Sequence, residues 1–222
     1  MRLIFYLCQA MSIPNTVFLF RIVHWQNIKH ILVHGLCSAQ HPSHDPNYIH
    51  IGHQQLITDR HNHPVPLVGY GHLGEYIPFY FWGHSPMLYM IIHGYQGVRQ
   101  YPQEDIVYVV VNSAHILAGD FQYVYTDQHA KRKVARFFTD PKDFGQLRWD
   151  VIRSKDWKNN EDDLRRRDFK QAEFLVRHHI PTSYIDRLFV KTEAKMKEIA
   201  DIVRKLDLEI PVQVAREGKL YF

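Results

Sequence analysis

Apolar residues along this chain fall mainly into short runs closed off by polar or turn-forming positions, which is the pattern of strands. Phe18-Leu19-Phe20-Arg21-Ile22-Val23-His24 is apolar except for Arg21 and its closing histidine, and predicts a first strand. Residues 105–111, Asp105-Ile106-Val107-Tyr108-Val109-Val110-Val111, are apolar on both faces, which places them inside a sheet. Tyr123-Val124-Tyr125, Phe174-Leu175-Val176, Ile185 to Val190 and Val212 to Val214 predict further strands; the run at 174–176, closed by His178, His179 and Pro181, is too short for a helix. Helical spacing occurs in fewer places. Asn27 opens one helix through Ile28, Ile31 and Leu32, with Gly35 where a terminating glycine belongs. Thr126 or Asp127 can cap another over 130–138, with Val134, Phe137 and Phe138 inward and Lys131, Arg132, Lys133 and Arg136 outward. Residues 149–167 predict a helix or two followed by a polar loop, and Glu193 to Lys205 an amphipathic helix carrying Ala194, Ile199, Ile202 and Val203. Strands and helices mix without regular βαβ alternation, so the expected class is α+β with a largely antiparallel or mixed sheet. Between Cys37 and Pro66 almost no apolar period survives, and a long loop is expected there.

The length of 222 residues suits a single core, with residues 1–17 as an N-terminal extension and 18–222 as one domain. The run Leu3 to Cys8 is too short for a membrane span and weak as a signal peptide. Cys8 and Cys37 make no disulfide framework and show no metal spacing, which points to a reducing cytoplasm. Thirteen Tyr, thirteen Phe, four Trp and sixteen His accompany a net charge of +4, a combination suited to single-stranded nucleic acid, where cations meet phosphates and rings stack on bases. The same charge also serves plain solubility, and the cationic face of 130–138 can be solvated as well as phosphate-bound.

The segment Arg165-Arg166-Arg167-Asp168-Phe169-Lys170-Gln171-Ala172-Glu173 runs a cluster of cations into one carboxylate at the mouth of a buried strand. Glu173 there is either a catalytic group or the partner of Arg167 or Lys170 in an ordinary ion pair. His24, at a strand-to-helix junction, can serve a ligand or its own backbone. The histidines between His41 and His63 lack H-E-x-x-H context and cysteine partners, so no metal site is expected; Arg60 is the cation this loop can bring to a pocket. Gly69, Gly71 and Gly74 have G-x-G-x-x-G spacing but follow no strand, and Pro78 interrupts what comes next, so a dinucleotide loop is rejected. Tyr76, Phe79, Tyr80, Phe81 and Trp82 are core, a stacking wall, or both.

Five segments, taken in order, resemble the DarT-type DNA ADP-ribosyltransferases, toxins of bacterial toxin–antitoxin pairs. They are Phe20 to His24 through Gly35-Leu36, Tyr76 to Phe81 with Ser85-Pro86-Met87-Leu88-Tyr89, Asp105 to Tyr108, Thr126 to Ala130, and Lys170 to Val176. The resemblance implies an ADP-ribosyltransferase-like split sheet gripping NAD in its cleft, with flanking helices. It implies Glu173 and Arg60 as catalytic, with His24, Asn27, Arg60 and Tyr76 toward NAD. Arg166, Arg167 and His129 would face DNA. NAD is then the substrate and no metal is needed; the acceptor is a base of single-stranded DNA, thymine ahead of guanine. A macrodomain antitoxin that removes the ADP-ribose is implied as partner; a monomer is the default expectation, and the cysteine usage points to the cytoplasm. His84 and Gln128 stand where the family more often has Arg and Gly. The alternatives are a protein- or RNA-directed ADP-ribosyltransferase, an NAD glycohydrolase, or a non-catalytic module that binds single strands.

Overall fold

A computed structural model describes residues 13–222; the apolar run at 3–8 and Cys8 lie outside the described residues. Eight strands form one sheet in the order β10-β9-β4-β1-β3-β7-β5-β6. Its first half is built on β4 (Ile106–Asn112), flanked by β1 (Phe18–His24) and β9 (Ile185–Val190) in antiparallel pairing. β10 (Val212–Val214) adds a parallel edge to β9. Six consecutive residues of β4 are buried, because helices and the partner half of the chain cover both faces. The second half pairs β3 (Tyr76–Tyr80) antiparallel with β7 (Glu173–Arg177), then β5 (Tyr123–Thr126) and β6 (Phe137–Phe138). β2 (Leu36–Cys37) and β8 (His179–Ile180) form a separate two-stranded ribbon.

The halves meet at one residue pair, Phe20 opposite Tyr80. Beyond it β1 continues four residues to His24, about 13 Å at ~3.3 Å per residue, without pairing to β3. The sheet therefore splits between β1 and β3. Unpaired backbone at such a split needs other partners. Arg21 supplies one by donating from Nη1 to the Pro78 carbonyl, 3.0 Å across the gap.

The helices pack around this sheet. α1 (Ile28–His34) buries Ile28, Ile31 and Leu32 and ends at Gly35, as the spacing predicts. α7 (Glu193–Lys205) buries Ile199 and Val203 and is capped by the Thr192 side chain. α4 (Ser113–Ala118) follows β4, capped by Asn112. α3 (Pro86–His93) begins with the Ser85 hydroxyl accepting from Leu88 N at 3.1 Å and with Pro86 in its first turn, two start signals present in the sequence.

Three expectations are corrected. Residues 130–138 form no helix. Asp127 accepts from the Arg136 backbone N at 3.0 Å and from its Nε at 2.8 Å, closing a turn, and Phe138 pairs with Tyr125 as part of β6. Helix propensity there is local, and it loses to a charge-assisted clamp and a strand pairing. The long loop after Cys37 contains α2 (Gln54–His61), which has no fully buried residue and therefore no apolar period to betray it. In residues 149–167 helix is confined to single turns, α5 (Trp149–Ile152) and the start of α6 (Arg166–Phe169). The Lys170 ammonium, buried and pushed down to about 7 by that burial, donates to the Ile152 and Ser154 carbonyls and closes the intervening segment.

Candidate active site

The split in the sheet opens into a cleft. β1 contributes Arg21 and Ile22, β3 contributes Tyr76 to Tyr80, and α2 contributes Leu56, Ile57, Arg60 and His61. The segment 38–53 covers it with Ser38, His44, Tyr48 and His50, while Met87, His129 and Glu173 complete the wall. Glu173 opens β7 directly opposite Tyr80, so the sheet register itself delivers the carboxylate to the base of the cleft.

Arg60 is positioned from the opposite side. α2 approaches the turn at 73–75 so closely that a Cβ on Gly74 would lie 2.6 Å from the His61 carbonyl oxygen. The glycine that completes the failed dinucleotide pattern thus has a packing reason. From this seat Arg60 Nη1 donates to both Glu173 oxygens, at 3.1 and 2.9 Å, with side chains 13% and 3% exposed. Ala130 N donates to Glu173 Oε1 at 3.3 Å, and His129 Nε2 stands 3.6 Å from the same oxygen. The turn that replaces the expected 130–138 helix is what presents both groups. An ion pair between Lys131 and Asp59 ties this turn to α2.

Burial, the largest single influence, pushes the Glu173 pKa up, but the charge and hydrogen bonds of Arg60, with smaller help from His129 and the Ala130 N–H, together outweigh it and hold the carboxyl below its ordinary 4.5. Burial lowers the His129 imidazole below 6.5 against the opposing pull of Glu173, so it is neutral at neutral pH. Burial also raises the Tyr80 phenol well above 10, with the Glu173 charge adding to it, and Tyr80 remains a proton donor. Two buried polar atoms in the cleft have no partner, Arg60 Nη2 and Ser38 Oγ. Such atoms are costly to leave unpaired and mark where a polar ligand fits.

The structure brings Glu173, Arg60, His129 and Tyr76 together in one cleft. Tyr76 is 4% exposed and fixes its hydroxyl to the Tyr70 carbonyl at 2.7 Å. His24 and Asn27 lie behind the wall. His24 accepts from Gln26 N and packs its ring on Tyr101. Asn27, 1% exposed, clasps Ile49 in both directions at 2.9 Å and so fixes the segment that covers the cleft. Arg166 and Arg167 lie elsewhere: Arg166 donates to the Asp156 carbonyl, and Arg167 lines a second groove. Sequence reasoning missed Arg21 and Met87 as cleft residues, while Tyr80, read as core or stacking wall, lines the cleft. The signal for Arg21 was present, a lone cation within an apolar strand.

A split sheet holding an ionised, buried carboxylate against a guanidinium, with unfilled polar groups above it, is equipped to stabilise positive charge developing on a ribose. Fold and site together define an ADP-ribosyltransferase. The family model for DarT, ssDNA thymidine ADP-ribosyltransferase, matches residues 20–222. A DNA ADP-ribosyl transferase from Escherichia coli O127:H6 is 36% identical over 180 residues, 81% of this chain and 83% of the relative. One from Thermus aquaticus is 31% identical over 216 residues, covering 96% and 93%. The structure of Thermus sp. 2.9 DarT in complex with ADP-ribosylated ssDNA superposes with a TM-score of 0.83 at 30% identity, covering 95% of this chain and 99% of that one. The same protein in complex with NAD+ gives 0.80. This chain belongs to the DarT family, and it is an enzyme, a DNA ADP-ribosyltransferase that uses NAD as its substrate. Among the described residues no group of three or more His, Cys, Asp or Glu is arranged to hold a metal, and no helix is long and apolar enough to cross a membrane.

Proposed function

We propose that this enzyme transfers ADP-ribose from NAD to a thymine base of single-stranded DNA and acts as the toxin of a toxin–antitoxin pair. The observation that carries the reading is the Arg60–Glu173 pair, 3.1 and 2.9 Å, at the base of a cleft formed by the splitting of the sheet. NAD binds along the split. Arg60 Nη2, buried and without a partner, donates to its pyrophosphate or ribose oxygens, and the phenol of Tyr80 lines the same cleft. Cleavage of the nicotinamide–ribose bond leaves an oxocarbenium-like C1″, which the Glu173 carboxylate stabilises. The acceptor base carries a proton on its ring nitrogen; Glu173 takes that proton as the nitrogen bonds to C1″, and neutral nicotinamide departs. Arg60 releases the carboxylate for this step by turning its guanidinium to the substrate. Single-stranded DNA suits this cleft because an unstacked base can enter a pocket that a duplex base cannot reach.

His24 and Asn27 serve the nicotinamide end through the wall they support, Tyr76 forms part of the NAD bed, and His129, Arg166 and Arg167 serve the DNA. Residues 18–222 constitute the catalytic domain behind an extension of 1–17, in keeping with the family match beginning at residue 20. The protein acts as a cytoplasmic monomer, and its partner is a macrodomain antitoxin that hydrolyses the ADP-ribose from DNA. The test is to supply NAD with oligonucleotides that each contain a single thymine or a single guanine, and to locate the adduct by fragment mass spectrometry. Transfer confined to the thymine oligonucleotides supports the assignment. Transfer to guanine overturns the base, and nicotinamide release with every DNA unmodified overturns the acceptor.

A further inference from the structure

The segment 38–53 that covers the cleft is fastened near both ends by imidazole nitrogens acting as acceptors. Near its start, His41 Nδ1 accepts the Ser43 backbone N–H at 3.2 Å. At its end, His53 Nδ1 accepts the Leu56 N–H at 3.3 Å and so caps α2. A ring nitrogen accepts only while it carries no proton; in the imidazolium both nitrogens donate. Each fastening therefore exists only in the neutral ring, and protonation sets one donor against another.

The cap matters because α2 has little else to hold it. The helix is 8 residues long with no fully buried residue, and so short a helix is marginal in water without support at its ends. It carries Arg60, whose guanidinium reaches Glu173. A cation at His53 would also oppose the positive end of the helix dipole. The carboxylate on α2 that could offset such a charge, Asp59, is engaged by Lys131 and by Gln55.

The groups around His41 also favour neutral rings. His41 stacks on His179 of β8, with centroids 4.8 Å apart and planes 13° from parallel, so a charge on both rings would repel. Burial first, then the facing His179, His178 and His44, hold His41 below 6.5. Burial holds His44 below 6.5 against the pull of Asp45, with Arg21 of β1 and His30 of α1 adding to the shift. Asp45 is shared with His30, 3.9 Å away. For rings shifted in this direction the contribution to the folded cover is complete above 6.5, and it is lost as pH falls through the lower folded-state values.

We propose that segment 38–53 is a proton-sensitive cover, in which His41 and His53 are positioning residues that hold the segment, and with it Arg60, in place for NAD only while their rings are neutral. The consequence is an NAD affinity that falls in acid whether or not DNA is present. Glu173 produces no such fall in this range, because its carboxyl is held below 4.5.

The experiment titrates NAD calorimetrically into the full chain, without DNA, between about pH 7.5 and about pH 5.5, the span in which imidazoles charge. It uses wild type, His53→Ala and His41→Asn/His53→Asn, with far-UV circular dichroism read at each pH. Asparagine accepts the same backbone N–H at a helix cap or in a tight turn but does not titrate. Wild type should bind NAD about 10-fold more weakly at the lower pH, the worth of a cap and a turn bond lost together. The double asparagine variant should hold its affinity within about 2-fold across the range, and His53→Ala should be weakened about 5-fold already at the higher pH. Wild-type affinity that stays level in acid overturns the proposal. Affinity that rises in acid does so too, because the charged rings would then be binding the NAD phosphates. A double variant that weakens in acid as wild type does places the proton elsewhere, and a His53→Ala protein that binds like wild type at the higher pH removes the role of the cap; either result sinks the account. A wild type that unfolds as a whole in step with the lost affinity also overturns it, since the cover would then have no transition of its own.

Discussion

Replacing Arg60 by Met removes the counter-charge of a carboxylate that is 3% exposed. Of its contacts, the two from Arg60 at 2.9 and 3.1 Å vanish, and the Ala130 N at 3.3 Å remains beside a neutral His129 at 3.6 Å. Leaving a buried charge without its partner costs about 3–5 kcal/mol, and because the cleft admits water to Glu173 the lower end applies. For a chain of this length about 3 kcal/mol corresponds to a fall in Tm of roughly 6 °C at neutral pH. The pH dependence gives the mechanism a second signature. In the wild type the Glu173 pKa is depressed, so its stabilising contribution is present above 4.5 and lost as pH falls through the folded-state value. Without Arg60, burial prevails and the folded-state pKa moves above 4.5, so the carboxyl opposes folding at neutral pH and ceases to do so in acid. The Tm gap between wild type and Arg60→Met should therefore narrow as pH falls toward 4.5. Adding Glu173→Gln to Arg60→Met should recover most of the loss at neutral pH. Thermal denaturation followed by circular dichroism across pH measures all of this. An Arg60→Met protein with unaltered Tm at neutral pH, or a gap that widens in acid, refutes the argument that these two groups hold each other in place.

Other outcomes follow from the same geometry. Phe174, fully buried and stacked on Tyr123 at 5.2 Å and Tyr125 at 6.0 Å, should cost about 3–5 kcal/mol on change to Ala, read from urea denaturation. Asn27→Ala unclasps Ile49 and frees the segment that covers the cleft, so KM for NAD should rise more than kcat falls, and steady-state kinetics with kcat alone affected would speak against it. Because Glu173 of the free enzyme is held below its ordinary 4.5 by Arg60, the acid limb that it sets in the kcat/KM profile should lie below that pH, and a Glu173-dependent kcat/KM limb near neutrality would contradict the assigned ion pair.

How far the sequence discloses this molecule depends on whether a feature is written in burial. β4 and β7 were legible because uninterrupted apolar runs of strand length have few other homes, β1 and β9 because one or two charges leave the rest of each short run apolar, and α7 because a single face carries its apolar residues. Glu173 stood out as a carboxylate at the mouth of such a run. α2 has no fully buried residue, so neither the helix nor the reach of Arg60 to Glu173 could be derived from periodicity; Arg60 stood out only as the cation that the loop could bring to a pocket, and its catalytic role came through family resemblance. The failed helix at 130–138 shows the opposite error: its cationic and apolar faces were real, but an acceptor at Asp127 and a strand partner at Tyr125 lie outside the helical window. The split of the sheet was implied by resemblance alone. It arises because β1 and β3 share one register pair, a non-local fact to which only the unexplained Arg21 within β1 points.

The central claim is that Glu173 at the base of the split carries ADP-ribose transfer from NAD to single-stranded DNA. It is tested most directly by incubating wild type and Glu173→Gln with NAD and a mixed pool of single-stranded oligonucleotides, measuring DNA mass and NAD binding side by side. The account predicts that wild type adds one ADP-ribose to DNA while Glu173→Gln retains NAD binding and loses on the order of 10³-fold in transfer rate. A Glu173→Gln protein that modifies DNA at the wild-type rate would contradict it.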